Sequence, residues 1–410
     1  MTKILVINEY LDFLTNFASH VHEHSNILLK DEKYRDDEYY YDNFFKEIKE
    51  FYDSKLDLIE NQIDIFQNRN IDSFENTGII TNKIDQNIKS KLLELINNYA
   101  NKTEIDYHPG SQNRVRDIIH PSLYPYIHKK KPKKINSLDF FKRSYESSKF
   151  QWLPSIFKID ENGKCKITSY INNLPLEEVE LYSTIELLFE KILPDLEKSV
   201  SYAYSIKIFD DEEDLSEKTH VNLKQYSLKN KNLQVITKIV QVTLDANDKF
   251  PGSWHVEGMS HENIIATASC TIDKPEDFGA KLYFKRSYYE EETGSLLLKT
   301  PQFPSNEIEG LYHNNLVPIG KTNIEDGSIV VFPNNMVHKI DMENNSSDKQ
   351  TRTILVFWLV NPDVEIMSTD KIPQQNYDME LAKKNRLKLM KERTYYKQSF
   401  NQRKINLCEH

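Results

Sequence analysis

Apolar residues recur along this chain with two periods, which divide it into helical and strand-rich parts. Residues 1–105 are highly charged and show helical spacing. Residues 106–200 are mixed, include an amphipathic helix over 181–196, and are expected to pack on the core. In residues 201–377, short runs rich in β-branched residues alternate with turns, as in a jelly roll or double-stranded β-helix. Residues 378–410 predict a basic C-terminal helix.

The packing faces of the first and last of these parts can be assigned from spacing. One helical stripe consists of Ile84, Ile88, Leu92, Leu95, Ile96 and Tyr99. The predicted packing residues of the C-terminal helix are Leu381, Leu387, Leu389 and Met390. The predicted fold class is therefore α+β overall, with a mainly β core, an α-helical N-terminal region and a C-terminal helix.

Composition restricts the classes of function. The net charge of −10 argues against nucleic-acid binding by the chain as a whole. Cys165, Cys270 and Cys408 are far apart and form no CxxC motif, which fits a reducing, intracellular location, either cytoplasmic or nuclear. No signal peptide is evident, and no apolar stretch reaches the ~20 residues that a membrane span requires.

Two strand-like segments carry the residue types of a metal site. His255 and Glu257 are two residues apart, so they can point to the same face of an extended chain. The apolar strand 327–332 runs through a Pro-Asn-Asn turn and is followed by His338. Two imidazoles and one carboxylate form the facial triad of non-haem Fe(II) oxygenases, which leaves three coordination positions open.

A nearby arginine suits a carboxylate-bearing cosubstrate. Arg352 stands at the start of the almost wholly apolar strand 351–360, and its planar guanidinium can hold a carboxylate by two hydrogen bonds. The order His-x-Glu, His, Arg is similar to that of 2-oxoglutarate oxygenases, in which such an arginine holds the far carboxylate. Lys285 and Arg286, on the strand 282–286, are further candidates if they point into the barrel rather than to solvent.

Several blocks in order resemble a large, mostly fungal family that is catalogued only as a domain of unknown function. They are 120–125 (HPSLYP), 151–154 (QWLP), 169–174 (SYINNL), 252–259 (GSWHVEGM), 264–268 (IIATA), 332–334 (FPN) and 368–375 (STDKIPQQ). The resemblance covers about residues 105 to 378. It implies a double-stranded β-helix core similar to that of Fe(II)- and 2-oxoglutarate-dependent oxygenases, and it implies no substrate.

The function expected from these observations is an Fe(II)- and 2-oxoglutarate-dependent oxygenase of the hydroxylase or demethylase type. His255, Glu257 and His338 would be the catalytic metal ligands, Arg352 would bind 2-oxoglutarate, and O₂ would be the oxidant. The helical flanks favour a protein or other macromolecule over a small metabolite as substrate. One alternative is a cupin-like metalloprotein with non-oxidative chemistry. Another is a catalytically silent jelly-roll scaffold.

Three other clusters carry weaker signals. Residues 20–24 (HVHEH) could bind a metal if extended, but the region is predicted to be helical. The run 129–134 (KKKPKK) resembles a nuclear localisation signal or an anion contact, although a solvated loop is favoured. The acidic run 210–214 is expected to be a surface loop.

Overall fold

A computed structural model describes the chain in several stretches. The described residues are 46, 47, 50, 64–71, 77–129, 149–205, 225–286, 317–334, 336–375 and 378–401. Most of the predicted N-terminal helical region, the cluster 20–24, the acidic run 210–214 and all but Lys129 of the basic run lie outside them.

Eight antiparallel strands form the larger of two facing sheets. In spatial order they are β1 (Ile80–Lys83), β12 (Ser328–Pro333), β9 (Ile264–Asp273), β14 (Gln350–Val360), β7 (Lys231–Leu244), β5 (Ser155–Ile159) and β6 (Cys165–Ile167), and β2 (Val115–Ile119) also pairs with β7. The long pair β7–β14 forms the centre of this sheet, with Arg352 opposite Val242 and Val356 opposite Lys238.

The smaller sheet has four strands and faces the larger one. In spatial order they are β11 (Val317–Asn323), β10 (Phe278–Arg286), β13 (Met336–Asn344) and β8 (Lys249–Phe250). A separate two-stranded ribbon joins β3 (Tyr126–Ile127) to β4 (Phe150–Gln151). All strand pairs are antiparallel, and the two facing sheets make the jelly-roll core that the sequence predicted.

Strands of the larger sheet are buried on both faces, which explains why β14 is apolar almost throughout. Leu355, Phe357 and Leu359 point outward into a core shared with two helices. Ile354 points inward, to a second core between the sheets. Since side chains alternate along a strand, each run of apolar residues supplies both cores at once.

Two helices cover the outer face of this sheet. They are α1 (Gln86–Lys102) and α2 (Val179–Ser205). In α1 the predicted stripe is buried at Leu92, Ile96 and Tyr99, whereas Ile84 precedes the helix. Asp85 caps α1, because its side chain accepts hydrogen bonds from the backbone N–H groups of residues 87 and 88.

The C-terminal helix α3 (Met379–Asn401) packs on a different face from the one predicted. Leu381 and Leu387 are exposed, so their assignment as packing residues is wrong. Leu389 is buried in a third core cluster that includes Trp152 and Trp358, and Met390 packs against it. The buried stripe also includes Ala382 and the charged Arg386. The spacing is helical as expected, but the stripe contains an arginine that a search for apolar residues overlooks.

Arg386 fastens α3 to the body of the protein. Its guanidinium makes a bidentate ion pair with Asp106 at 2.5 and 2.8 Å, and a further contact with Asp117 at 3.3 Å. The arginine side chain is only 4% exposed, so water screens this pair weakly. The helix is therefore held by both apolar packing and a buried charge network.

A glycine allows the segment before the predicted metal motif to lie against the smaller sheet. The Gly252 N–H donates to the Asp341 carboxylate at 3.0 Å. A Cβ at residue 252 would lie 2.2 Å from the backbone oxygen of Ile340. Only glycine therefore fits between this segment and β13 without displacement of one backbone.

We expect Gly252→Ala to lower the free energy of unfolding by about 1–3 kcal/mol, the usual cost of an overpacked site. The added methyl group must push residues 251–258 away from β13, since its nearest neighbour is rigid backbone. Urea denaturation measures the change. Ser253→Ala is the matched control, because the neighbouring residue already has a Cβ. Equal stability of both variants and the wild type would contradict this account.

Candidate metal centre

The two histidines of the predicted site are joined through their backbones. The His255 N–H donates to the His338 carbonyl and the His338 N–H donates to the His255 carbonyl, each at 2.9 Å. His338 itself lies within β13, opposite Phe284 of β10. The irregular segment that carries the motif is thus paired with the regular strand β13 at the two candidate ligands.

The side chains of His255, Glu257 and His338 converge. Glu257 Oε1 lies 3.3 Å from Nε2 of His338 and 3.6 Å from Nε2 of His255. The possible ligand atoms of the three residues all lie within 4.8 Å of one another. Two ligands each ~2.1 Å from one metal ion are about 3.0–3.4 Å apart in octahedral or tetrahedral geometry. The spacing therefore fits a single ion.

Both imidazoles are oriented through their other nitrogen. Nδ1 of His255 lies 2.7 Å from the Ser253 carbonyl, and Nδ1 of His338 lies 3.2 Å from the Met336 carbonyl. A carbonyl oxygen can only accept, so each Nδ1 carries a proton, which leaves Nε2 of each ring as the atom that can bind a metal ion. Backbone carbonyls in this role are common around metal-bound histidines.

Glu257 is ionised in this setting. Its burial would raise the pKa, but the hydrogen bonds and charges of His255 and His338 outweigh burial and hold the pKa well below its usual range. Burial lowers the pKa of His338. A carboxylate therefore faces two imidazole nitrogens in a buried pocket, and a cation between them satisfies all three groups.

Asn334 orients the segment that carries Glu257. Its side-chain oxygen accepts from the Glu257 N–H at 3.1 Å, and its amide nitrogen donates to the carbonyls of Glu257 and Ile264 at 2.9 and 3.1 Å. In the sequence, Asn334 is recognisable only as part of a turn. Its tie to Glu257 spans 77 residues, so no local pattern could have indicated it.

Arg352 lies in the same cavity as the three converging residues. Its side chain is fully buried, Nη2 donates to the Thr271 hydroxyl at 2.8 Å, and Nη1 lies 3.8 Å from the Met342 sulfur. Nε has no hydrogen-bond partner in the described part of the chain. Burial lowers the pKa of Arg352 to about 9, which leaves it charged at neutral pH.

The two other candidate cations for a cosubstrate are placed differently. Lys285 follows the inward-facing Phe284, so strand alternation turns it to the opposite face, where its ammonium group lies 4.3 Å from the centre of the Trp254 ring. Lys285 is not part of the cavity lining, and its prediction as a cosubstrate ligand is not supported. Arg286 ends β10, and its side chain lies outside the described part of the structure.

The cavity between the sheets has a volume of about 840 Å³. This is within the range of pockets that enclose small organic molecules. Its walls are the inner faces of strands from both sheets, the motif segment and one side of α3. On β14 the lining residues are Arg352, Ile354, Val356 and Trp358, which are alternate residues of one strand face.

Two further histidines, His108 and His120, line this cavity, and no motif in the sequence marks them. Nδ1 of His108 lies 2.9 Å from the Asp117 carboxylate, and the rings of His108 and His120 are 4.9 Å apart between centroids. Together the three residues bring possible metal ligands within 4.8 Å of one another. His120 opens the HPSLYP block, but the irregular spacing of His108, Asp117 and His120 gives no recognisable ligand motif.

An aromatic pair closes the end of the cavity near α3. The rings of Trp152 and Trp358 stack with centroids 4.9 Å apart and planes inclined by 23°. The guanidinium of Arg393, from α3, lies 4.0 Å from the centre of the Trp152 ring. Arg393 is also paired with Glu262 at 2.6 Å, so its charge is balanced within the protein.

Comparison with solved structures gives remote similarities. A Trichoplax adhaerens prolyl hydroxylase in complex with a hypoxia-inducible-factor peptide is 7% identical, with a TM-score of 0.32, over 75% of this chain and 93% of the other. A 2OG-Fe(II) oxygenase family oxidoreductase from Burkholderia pseudomallei is 9% identical, with a TM-score of 0.25, over 52% and 67%.

A third similar structure is SnoN, a non-haem α-ketoglutarate-dependent epimerase from nogalamycin biosynthesis. It is 10% identical, with a TM-score of 0.31, over 74% of this chain and 89% of SnoN. No curated protein matches this chain.

Sequence comparison with protein families gives a match that covers most of the chain. The family described as "Protein of unknown function (DUF4246)" matches residues 43–214 and 202–383. The matched residues include His255, Glu257, His338 and Arg352. The resemblance inferred from the short sequence blocks is thereby confirmed, and the chain belongs to the DUF4246 family of proteins of unknown function.

Proposed function

We propose that this protein is an Fe(II)- and 2-oxoglutarate-dependent oxygenase. The observation that carries the proposal is the fully buried guanidinium of Arg352, which has no carboxylate partner among the described residues, in the cavity that holds His255, Glu257 and His338. One cavity thus offers three metal ligands and a separate site for an anion.

The three ligands suit iron. Two neutral imidazoles and one carboxylate on one side of an ion leave positions for a cosubstrate and oxygen, which is the ligand pattern of non-haem Fe(II) oxygenases. In the metal-free protein, Nε2 of His338 and Nε2 of His255 lie 3.3 and 3.6 Å from Glu257 Oε1, where only a proton can join an imidazole to the carboxylate. A metal ion bound by all three residues takes the place of such protons. The donor set therefore fits the ion that the proposal requires.

Arg352 suits the cosubstrate. A buried, unpaired charge is costly, and here only a hydroxyl and a thioether contact the guanidinium. The charge interaction between Arg352 and Lys274 is also repulsive. Burial lowers the pKa of Lys274, and the positive charge of Arg352 lowers it further. An incoming dicarboxylate would supply the missing negative charge and two strong hydrogen bonds to the guanidinium fork.

When bound, iron with 2-oxoglutarate and O₂ supplies an oxidant strong enough for unactivated C–H bonds, with succinate and CO₂ as co-products and a hydroxylated or demethylated product. The protein's own residues do the rest. The Ser253 and Met336 carbonyls hold the rings in one tautomer, Asn334 holds the Glu257 backbone, and the apolar inner faces of the sheets exclude water.

The position of Arg352 also bears on the cupin-like alternative. A metalloprotein with non-oxidative chemistry has no need of an unpaired guanidinium inside the barrel, since such a charge destabilises the folded state unless an anion binds it. The silent-scaffold alternative likewise leaves both the converging ligands and Arg352 without a role. The oxygenase is therefore the function that uses all four residues.

Cellular location and macromolecular partners stay predictions. No helix among the described residues is long and apolar enough to cross a membrane. An intracellular location rests on cysteine usage, and the preference for a macromolecular substrate rests on the helical flanks.

Glu257→Gln should weaken iron binding by more than about 100-fold, since even the loss of an outer-shell partner of a metal ligand costs 10–100-fold. The neutral amide removes a negative charge from the metal site, while its size is nearly unchanged, so the fold should persist. Iron titration and 2-oxoglutarate-dependent succinate release measure the effect, and a melting curve checks the fold. Glu276→Gln, an exposed change outside the cavity, is the control. A stably folded Glu257→Gln protein with full iron affinity and turnover would refute the site.

Arg352→Met should weaken 2-oxoglutarate binding by about 10–100-fold, because it removes charge-assisted hydrogen bonds worth roughly 1.5–3 kcal/mol. Iron affinity should remain at the wild-type level, and the ligand-free protein should be no less stable, since a buried unpaired charge is replaced by an apolar side chain. Calorimetric titration of 2-oxoglutarate into the Mn(II)-loaded protein measures the change. Arg114→Met serves as the charge control, because Arg114 lies outside the cavity lining and pairs with Asp248. Unchanged 2-oxoglutarate affinity in Arg352→Met would exclude this role.

A further inference from the structure

The cavity has a second polar wall that iron and 2-oxoglutarate do not use. Lys238 on β7 lines it, together with His108 and His120. Lys238 lies opposite Val356 and Arg352 lies opposite Val242, so the two cations are four residues apart along the central strand pair. At ~3.4 Å per residue, this separates their strand positions by about 14 Å. The cavity therefore offers two cationic subsites, one near the end of the strand pair at Arg352 and one near its middle at Lys238.

Lys238 is available to a ligand. It is only partly buried, lines the cavity, and makes no hydrogen bond or ion pair with any residue in the described stretches. Lys238 interacts electrostatically with Asp117. Burial would raise the pKa of Asp117, but the interactions with His120, His108 and Lys238, among them the hydrogen bond from His108, hold it well below its usual range. The direct contacts of Asp117 are with His108 and Arg386. The lysine ammonium group thus keeps its hydrogen-bonding capacity.

His120 adds a neutral donor. Its Nδ1 accepts a hydrogen bond from the Ser122 N–H at 3.1 Å, and burial lowers the pKa of the ring well below its ordinary value. A neutral ring whose Nδ1 is an acceptor carries its proton on Nε2. His120 therefore donates through Nε2, and it lines the same cavity as Lys238.

A second metal ion is the other chemistry that His108, Asp117 and His120 could provide. The Arg386 guanidinium lies 3.3 Å from the Asp117 carboxylate, and Lys238 adds another positive charge to this network. Two cations beside a carboxylate disfavour a further dication. The electrostatics of this wall therefore favour an anion.

Next to Lys238 the cavity becomes apolar and aromatic. Trp358 stands two residues beyond Val356 on the same strand face, a diagonal neighbour of Lys238 across the strand pair. Trp152 stacks on Trp358 and donates through its indole N–H to the Ser122 hydroxyl at 2.8 Å, which links the aromatic pair to the loop that orients His120. A ligand that reaches Lys238 thus meets an apolar surface beside it.

We infer that the substrate is a small organic acid with an apolar body, whose carboxylate is bound by Lys238 and His120 and whose body packs against Trp358 and its neighbours. This inference rests on the proposed function, because it names the substrate class of the same site. It favours a molecule enclosed in the cavity over the macromolecule that the helical flanks suggested. Arg352 binds the carboxylate of the cosubstrate and Lys238 binds the carboxylate of the substrate, so the two anions bind at separate cations.

The test uses the full, metal-free chain and a pair of probes that differ only in charge. Calorimetric titration compares 3-phenylpropionate with its neutral amide, 3-phenylpropanamide. We expect the wild type to bind the acid at least about tenfold more tightly, the lower end of what a hydrogen bond to a charged group contributes. Lys238→Met should lower the affinity for the acid to that for the amide. Lys238→Arg, which keeps the positive charge, should retain most of the preference for the acid. Lys231→Met on the same strand, outside the cavity, should leave the preference unchanged.

Each other outcome overturns the inference. An acid preference that survives in a folded Lys238→Met protein, or that disappears in Arg352→Met, would mean that the acid binds elsewhere. The inference is also rejected if the wild type binds the acid with a dissociation constant above about 1 mM. Melting curves establish that each variant is folded. Titration of 2-oxoglutarate into the Mn(II)-loaded samples tests the oxygenase proposal separately, so the failure of one proposal is distinguishable from the failure of the other.

Discussion

The backbone pair between His255 and His338 is the contact on which the candidate centre depends. Two hydrogen bonds of 2.9 Å join an irregular segment to β13 at the positions of two candidate ligands. Gly252 makes the close approach possible, because a Cβ there would meet the backbone of Ile340. Asn334 then ties the Glu257 backbone to the turn between β12 and β13. The ligand geometry is thus set by main-chain contacts, which vary less than side-chain rotamers.

The charges inside the cavity are arranged in a way that the folded chain alone does not balance. Glu257 faces two imidazoles, and Arg352 at another part of the wall contacts only a hydroxyl and a thioether. In a region of low dielectric, an unpaired charge such as that of Arg352 reduces stability. Binding of a cation and an anion relieves this destabilisation, and the relief adds to the free energy of binding at a preorganised site.

The C-terminal helix shows that the cavity is a property of the whole chain rather than of the β core. Arg386 joins α3 to Asp106 and Asp117, and Asp117 in turn contacts His108 at the cavity wall. Arg393 from the same helix pairs with Glu262 and covers the Trp152 ring. Loss of α3 would leave buried carboxylates unpaired, so the wall that carries Lys238 and His120 depends on its docking.

The sequence by itself determined the jelly-roll class, the strands around residues 235–244 and 351–360, and the grouping of His255, Glu257, His338 and Arg352, because these follow from local spacing and residue chemistry. Tertiary structure alone decided which cations enter the cavity. Lys285 and Arg352 look alike as strand cations in the sequence, yet strand register turns the first toward Trp254 and the second inward. It also decided that α3 buries Arg386 rather than Leu381, and that His108, His120 and Lys238 form one wall. Contacts between residues more than a hundred positions apart leave no periodic signal, since only folding brings such residues together.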